Sequence, residues 1–470
     1  MNLVKSLQSY LEELKRNESP ELVEINKKTI PHKFEVTALL EKMDQKGDTR
    51  IPWFKNVVNN HDESTDMSVV SNLFGTRERI GQQIGGEAIK GGMAVSLEYA
   101  KRELEKIKPI IISANEAPVK EEIQKGVDID IEKLPIVRHY EMDLSPVLTM
   151  MLVMKDPDEG FYDVSFTKVF PKGPDTAGVS IHSPHLERIL TKYEERGLAA
   201  PIVSIIGHHP AFTLGAAARV PFGNDDYATI GAFLQESVRL VPSETWGEDF
   251  LVPADAEILI EAEIQPGART IVDPFGEVTR DYQPQCLRQL ANIKAITKRK
   301  NAVLQDIFSG HPEHWLLGGI AKEGGLYNML QKQFGNITGV KMPYSGCCRI
   351  ECHIAIKKRT EGEAYNVGMA AFGFDSQLQW ITVVDDDIDP FNEFDVRFAA
   401  VNYVNPDKDI QKIRARNHFY NAGAGWKVIV DATKQTEVPS PTRFRVPPDV
   451  MDRIELDDYL NEKDSTILSK

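Results

Sequence analysis

Between residues 135 and 310 one strand-forming run follows another, and this succession constrains the fold more than any other feature of the chain. VLTMMLVM (147–154), YDVSFTKVF (162–170), PIVSIIG (201–207) and AEILIEAEI (256–264) are short apolar or alternating runs bounded by Pro, Gly and Asp. They predict a mostly β middle region, which IKAITKRKNAVLQDIF closes. Two stretches with helical spacing, 185–197 and 228–240, interrupt it.

The flanks read differently. The first 110 or so residues carry a helix with Leu3, Leu7, Leu11 and Leu14 on one face, a strand-like run at 21–25, a helix at 34–45 and another around 77–107. KPIIIS (108–113) and a Glu/Lys-rich connector then mark a boundary near 115. After residue 310, GGLYNMLQKQF predicts a helix, and ITGVKMPY and CRIECHIAIKK predict strands. A helix around 363–373 and the strand WITVVDDDID follow, and IELDDYL (454–460) predicts a last helix. Strands alternating with helices indicate α/β construction. The expected outline is α/β, β, α/β.

With 470 residues the chain has room for two or three domains, and its net charge of −15 argues against general nucleic-acid or anionic-membrane binding. No run approaches the roughly 18 apolar residues that span a bilayer. The amphipathic start does not read as a signal peptide, so the expected compartment is cytoplasmic. Four cysteines make no disulfide framework, and the three in GCCRIECH have poor spacing for zinc; they are expected to be packed thiols.

Residues with chemistry cluster in the middle region. YDVSFTKVF places Asp163, Ser165 and Thr167 on one face of a strand and Phe166 and Lys168 on the other. His182 and His185 lie in SIHSPHLERIL, with His185 in the first turn of a helix. Asp225 and Asp226 precede another helix, where N-capping is the plain reading. An imidazole with two carboxylates also suits a hard divalent ion. The acids of VVDDDID end a buried strand or bind metal. In TIVDPFGEVTRDY, a Pro-Phe-Gly turn sets Glu277 as a proton donor or as a solvated turn residue. The Gly-rich segments lack the context of a dinucleotide site or P-loop, and no nucleophile elbow is present.

Taken together, six segments in order resemble the UbiD-type decarboxylases, which use prenylated FMN. These are SLQSYLEELKRN with SNLFGTRERIGQQIGG, LVPADAEILIEAEIQPGA, TIVDPFGEVTRDY, WITVVDDDIDPFNEFDV and VIVDAT, and the similarity runs over nearly the whole chain. The resemblance implies a three-domain architecture, with a central split β-barrel like that of flavin reductases between two α/β regions. The expected ranges are 1–115, 116–310 and 311–470, the last ending in a dimerisation helix. It also implies non-oxidative, reversible decarboxylation of an aromatic or α,β-unsaturated acid. The modified flavin bonds to the carbon bearing the carboxylate and serves as the electron sink.

Carried over residue by residue, the resemblance implies a Mn2+ or Mg2+ ion on Asp163, His185 and Asp226, bridging to the flavin phosphate, with Asp225 a rival for the third place. Asp in first position is similar to gallate decarboxylases. Ser165, Phe166, Lys168 and the segment Ala218, Arg219, Val220 and Pro221 would line the cofactor. The family's two acids spaced by five fall on Val272 and Glu277, and its strand arginine on Lys168. Glu277 is expected to be a desolvated proton donor, and Lys168 to steer the substrate carboxylate. Lysine lacks the two-pronged grip of arginine. Asp273 could anchor Lys168 only through a one-residue shift of the turn. Tyr403 stands where an arginine would mark an accessory K+ site. Phe419, Tyr420 and Trp426 are pocket-lining candidates. A flavin prenyltransferase would supply the cofactor to a homodimer or higher homo-oligomer. A non-catalytic scaffold subunit, or a different reaction at the same cofactor, are the alternatives that Lys168 and Val272 leave open.

Overall fold

Six antiparallel strands close into a barrel: β1 (Leu148–Lys155), β2 (Tyr162–Gly173), β3 (Thr176–Ser180), β4 (Ala200–Ile206), β5 (Ile258–Val272) and β6 (Cys286–Lys298). Their order around the barrel is β5-β4-β1-β2-β3-β6, and β6 pairs back onto β5. The computed structural model describes residues 4–415, 425–435, 444, 446–455 and 458–459.

The apolar run of β1 follows from burial on both sides. Leu148, Met150, Leu152 and Met154 join one core, and Met151 and Val153 join another. The helix α1 (Pro184–Glu195) lays Leu186, Ile189 and Leu190 in the first. The helices α2 (Pro210–Ala216) and α3 (Asp226–Leu234) bring Phe212, Tyr227 and Ile230 to the second. Each fully buried side chain of this size contributes about 1.5–3 kcal/mol over an exposed one. Covering both faces is therefore what holds the two helices that carry His185 and Asp226 against the barrel.

Two predicted helices are shorter than expected. The 228–240 stretch is helical only to Leu234; Gln235 takes φ 57°, and Arg239–Ser243 runs as a strand. The β-branched and apolar alternation of VRLVP outweighs the helical spacing there. The 77–107 stretch breaks into Arg77–Ile84, a tight turn at Gly86–Lys90 and Gly92–Leu104, because Gly85 and Gly91 sit at φ 73° and 74°.

The N-terminal sheet has the order Leu22–Ile25, Ile51–Phe54, Ser68–Val70, Val303–Gln305. Its last strand comes from beyond the barrel, so AVLQDIF does not extend β6 but returns to pair with the N-terminal region. The chain then enters α4 (Pro312–Phe334). At this junction the buried Glu313 accepts the amides of Asn72 at 2.9 Å and Leu73 at 2.6 Å. Burial, reinforced by Asp306, pushes the Glu313 carboxyl up to about 7 against those amides. A raised acid stabilises the fold fully below its unfolded value of 4.5 and loses that contribution as pH rises through about 7. Glu313→Gln cannot ionise. Its melting temperature relative to wild type is expected to rise between about pH 5 and pH 8, and a gap independent of pH contradicts the assignment.

The C-terminal sheet has five strands in the order Ile337–Lys341, Glu351–Ile356, Trp380–Asp385, Trp426–Asp431, Ile410–Arg414. Cys347 and Cys348 precede its second strand rather than belonging to it, at φ 52° and 49°. Cys348 and Cys352 are buried free thiols, as the spacing suggested. The acids after Asp385 hold backbone and Lys434: Asp385 accepts the Lys434 amide at 2.7 Å, and Asp387 pairs with its ammonium at 2.7 Å. Phe419, Tyr420 and residues 456, 457 and 460 lie outside the described residues; the described part of the predicted helix at 454–460, residues 454–455 and 458–459, forms no α-helix, and Trp426 opens its strand half-exposed. Among the described residues no helix is long and apolar enough to cross a membrane.

Candidate active site

The reversal in TIVDPFGEVTRDY is not at Pro-Phe-Gly. Phe275–Gly276 is extended and pairs with Tyr282–Gln283. The chain turns at 277–281, where the Arg280 amide donates to Glu277 O at 3.1 Å and the Glu277 amide to Asp281 O at 2.9 Å, with Arg280 at φ 64°. Gly276 is required for another reason: a Cβ there would lie 2.5 Å from the Tyr140 ring. The hairpin packed on Tyr140 aims Glu277 inward. Its carboxylate Oε1 accepts from Lys168 Nζ on β2 at 2.9 Å, and the two side chains are only 15% and 11% exposed. Glu277 is therefore no solvated turn residue.

The charge state differs from the sequence expectation. Burial pushes the Glu277 carboxyl up, but Lys168 and the neighbouring His314 outweigh it and hold the carboxyl below the usual range. Without substrate, Glu277 is an ionised partner of Lys168 rather than a protonated donor. Val272 packs in an apolar group with Val147, Phe170 and Phe275, and the Lys168 ammonium lies 4.8 Å over the Phe275 ring, so the residue in place of the first acid offers this pair no hydrogen-bond acceptor. Its Cγ1 lies 2.6 Å from where a Gly178 Cβ would be. Asp273 does not replace the missing acid: it accepts from Ser145 Oγ at 2.9 Å and pairs with Lys172 at 3.2 Å.

The pairing of β2 with β1 is regular, so Asp163 and Lys168, five residues apart, face opposite sides of the strand. Asp163 Oδ2 lies 2.9 Å from His185 Nδ1, at the head of α1. Asp225 is the N-cap of α3, accepting the Ala228 amide. Asp226 instead is buried against β2 and accepts the Val164 amide at 2.7 Å. Burial and the repulsion of Asp163 push the Asp226 carboxyl well above its usual range, and burial raises Asp163 despite His185. Two buried, mutually repelling carboxylates beside an imidazole form a donor set that a divalent cation would stabilise. The ligand atoms of the three do not all lie within 4.8 Å of one another. Among the described residues the single group whose ligand atoms all lie within 4.8 Å of one another is His61, Asp130 and Glu132, on the surface.

Around these pairs, Ser165 and Phe166 are half-buried on β2, and the Thr167 hydroxyl is buried without a hydrogen-bond partner. Ala218 and Val220 are half-buried after α2, while Arg219 and Pro221 are exposed. The Arg219 amide donates to Glu103 at 2.8 Å, a carboxyl that burial lifts to about 7. Three residues near Lys168 and Glu277 had no role from sequence. His314 is half-buried, and desolvation with the Arg349 and Lys168 charges pulls its imidazole down to about 3. His182 feels Arg288, Glu277 and Lys168 together, and burial is the main cause that lowers it. Arg288 donates through Nε to Ser180 Oγ at 3.0 Å. The register of strands places Arg288, and the packing of α4 places His314, and short motifs carry no signal for either.

A largely buried acid–lysine pair on one face of β2 and a carboxylate–imidazole group on the other suit an enzyme that handles a carboxylate with a bound cofactor. The chain belongs to the UbiD family of carboxy-lyases and is a decarboxylase of that family. Residues 12–91, 111–312 and 315–432 match the 3-octaprenyl-4-hydroxybenzoate carboxy-lyase N-terminal, Rift-related and C-terminal domains. It is 32% identical over 384 residues to the anhydromevalonate phosphate decarboxylase of Methanothermobacter thermautotrophicus, covering 79% of this chain and 86% of that protein. The UbiD-class enzyme HmfF from Pelotomaculum thermopropionicum in complex with FMN is similar at 32% identity and TM-score 0.87, over 97% of this chain and all (100%) of that one. An evolved dimeric form of HmfF, in complex with prenylated FMN, is 31% identical with a TM-score of 0.85 and the same coverage. The 3,4-dihydroxybenzoic acid decarboxylase of Klebsiella pneumoniae, at 22% identity and TM-score 0.82 over 96% of this chain and 100% of that one, shares the fold.

Proposed function

We propose that the chain decarboxylates an aromatic or α,β-unsaturated carboxylic acid with prenylated FMN, held through Mn2+ or Mg2+ on Asp163, His185 and Asp226. The observation that carries this reading is the buried Lys168–Glu277 pair. Ser165, Phe166 and the segment Ala218, Arg219, Val220 and Pro221 are the cofactor-lining residues of the proposal, and the buried, unpartnered Thr167 hydroxyl supports a polar ligand on that side of β2. Bound prenylated FMN supplies the electron sink for loss of CO2. The HmfF complexes support this choice of cofactor.

The chain's own part follows from charge. Lys168 Nζ receives the substrate carboxylate and is thereby drawn away from Glu277. Burial, the largest influence on that carboxyl, then acts against a weakened opposing charge, so its affinity for a proton rises. Glu277 takes up a proton at a carboxylate oxygen and delivers it to the carbon that has lost CO2. One interaction thus recognises the substrate and arms the acid.

The relatives named anhydromevalonate phosphate decarboxylase favour a non-aromatic, phosphorylated acid within this class. We assign barrel and cofactor to residues 116–310, flanked by 1–115 and 311–470, in a cytoplasmic homodimer. Co-expression with a flavin prenyltransferase and anaerobic purification, followed by native mass, absorbance and metal analysis including K+, tests the reading. Prenylated FMN with about one divalent ion per subunit is the expected result. An empty or plain-FMN protein, under conditions that load HmfF, overturns it.

A further inference from the structure

Lys168 is not the only cation at the Glu277 end of the barrel. It pairs in register with Ser180 on β3, and Val179 pairs with Gln289 on β6, so Ser180 and Arg288 share the next rung. Lys168, Ser180 and Arg288 form one row across three adjacent strands, on the same face. Ser180 is buried, 1% exposed; its Oγ accepts Arg288 Nε at 3.0 Å and lies 2.9 Å from His182 Nε2. Arg288 Nη1 donates to Leu287 O at 3.0 Å. Among the described residues, no carboxylate forms an ion pair with Arg288, which leaves the Nη2 edge of its half-buried guanidinium uncommitted. His182 senses the charges of Lys168, Glu277 and Arg288 alike, which gathers all three at one place. Two cations therefore face a single acid.

We propose that Arg288 binds a second anionic group on the substrate, so that the acid decarboxylated is a dianion. Lys168 takes the reacting carboxylate and Arg288 the distal group, a phosphate or a second carboxylate. The strands bearing the two cations lie two spacings, about 10 Å, apart, and both side chains are long enough to converge on a ligand of a few bonds. A guanidinium offers a planar fork to such oxyanions, and its Ser180 tether fixes it before the ligand arrives. This deepens the decarboxylase reading and rests on it.

The test uses three saturated, unreactive acids of one chain length: butyrate, glutarate and 4-phosphonobutyrate. Each is titrated calorimetrically into cofactor-loaded wild type, Arg288→Gln and Arg288→Lys. In wild type at least one dianion is expected to bind about tenfold or more tightly than butyrate, ~1.4 kcal/mol. That ratio falls towards unity in Arg288→Gln and is partly kept in Arg288→Lys, which retains charge without the fork. A larger loss for 4-phosphonobutyrate identifies a phosphate substrate, and a larger loss for glutarate a dicarboxylate. Equal affinities in wild type, or a ratio that survives Arg288→Gln, overturn the proposal. An active, loaded enzyme with no preference for dianions sinks this inference alone. A protein that refuses prenylated FMN, titrated as purified with the same three acids, and that still shows an Arg288-dependent preference sinks the decarboxylase reading and leaves the anion site standing.

Discussion

Glu277→Gln, in cofactor-loaded enzyme, is expected to lower kcat by about 10²–10⁴-fold with no loss of prenylated FMN. Glutamine keeps the shape and still accepts a hydrogen bond from Lys168, so the hairpin on Tyr140 has no reason to move. It cannot accept and return a proton. It also leaves Lys168 without a counter-charge, which makes the pocket more receptive to an anionic substrate. KM should therefore hold or fall while kcat collapses, a split that a general loss of structure does not produce. Turnover near wild type would show that the proton comes from elsewhere, with His182 and His314 as the next places to look.

Asp226→Asn should act in the opposite way, on loading rather than turnover. Asp226 is buried against Asp163, and each disfavours the charge of the other. Removing one carboxylate relieves that repulsion, so the metal-free variant should melt at or above the wild-type temperature. Wild type should gain stability from Mn2+, by about 2.7 kcal/mol at 100 times the dissociation constant, and the variant should gain little. Prenylated FMN content should fall with it, by about tenfold or more, because the ion would offset the phosphate charge. A protein that is sturdier when empty and unable to load is not a misfolded one. A Mn2+ shift that persists in Asp226→Asn would remove Asp226 from the ligand set and return attention to Asp225.

Much of this was legible in the sequence, for identifiable reasons. The barrel strands were readable because burial on both faces leaves continuous apolar runs, as in VLTMMLVM. The Asp163–His185 and Lys168–Glu277 pairs were reachable because ordered family motifs fix those positions. What escaped depends on pairing across distance. The return of Val303–Gln305 to the N-terminal sheet, the row from Lys168 to Arg288 and the burial of Glu313 all need the register of strands remote in sequence. The ionised state of Glu277 escaped for a related reason: the sequence showed a desolvated acid, but the sign of its shift rests on a lysine 109 residues away. Pro-Phe-Gly misled because its glycine serves the Tyr140 ring instead of a positive φ.

One strand, β2, carries Asp163 near its start and Lys168 five residues on, about 17 Å at 3.3 Å per residue. At that separation, and on opposite faces of the strand, the two groups share no hydrogen bond or ion pair. Descent can therefore treat the two ends as separate characters. A lineage can trade the residues around Lys168, altering which acid it consumes, while the anchorage at Asp163 passes on unchanged. The strand lets appetite evolve without disturbing inheritance.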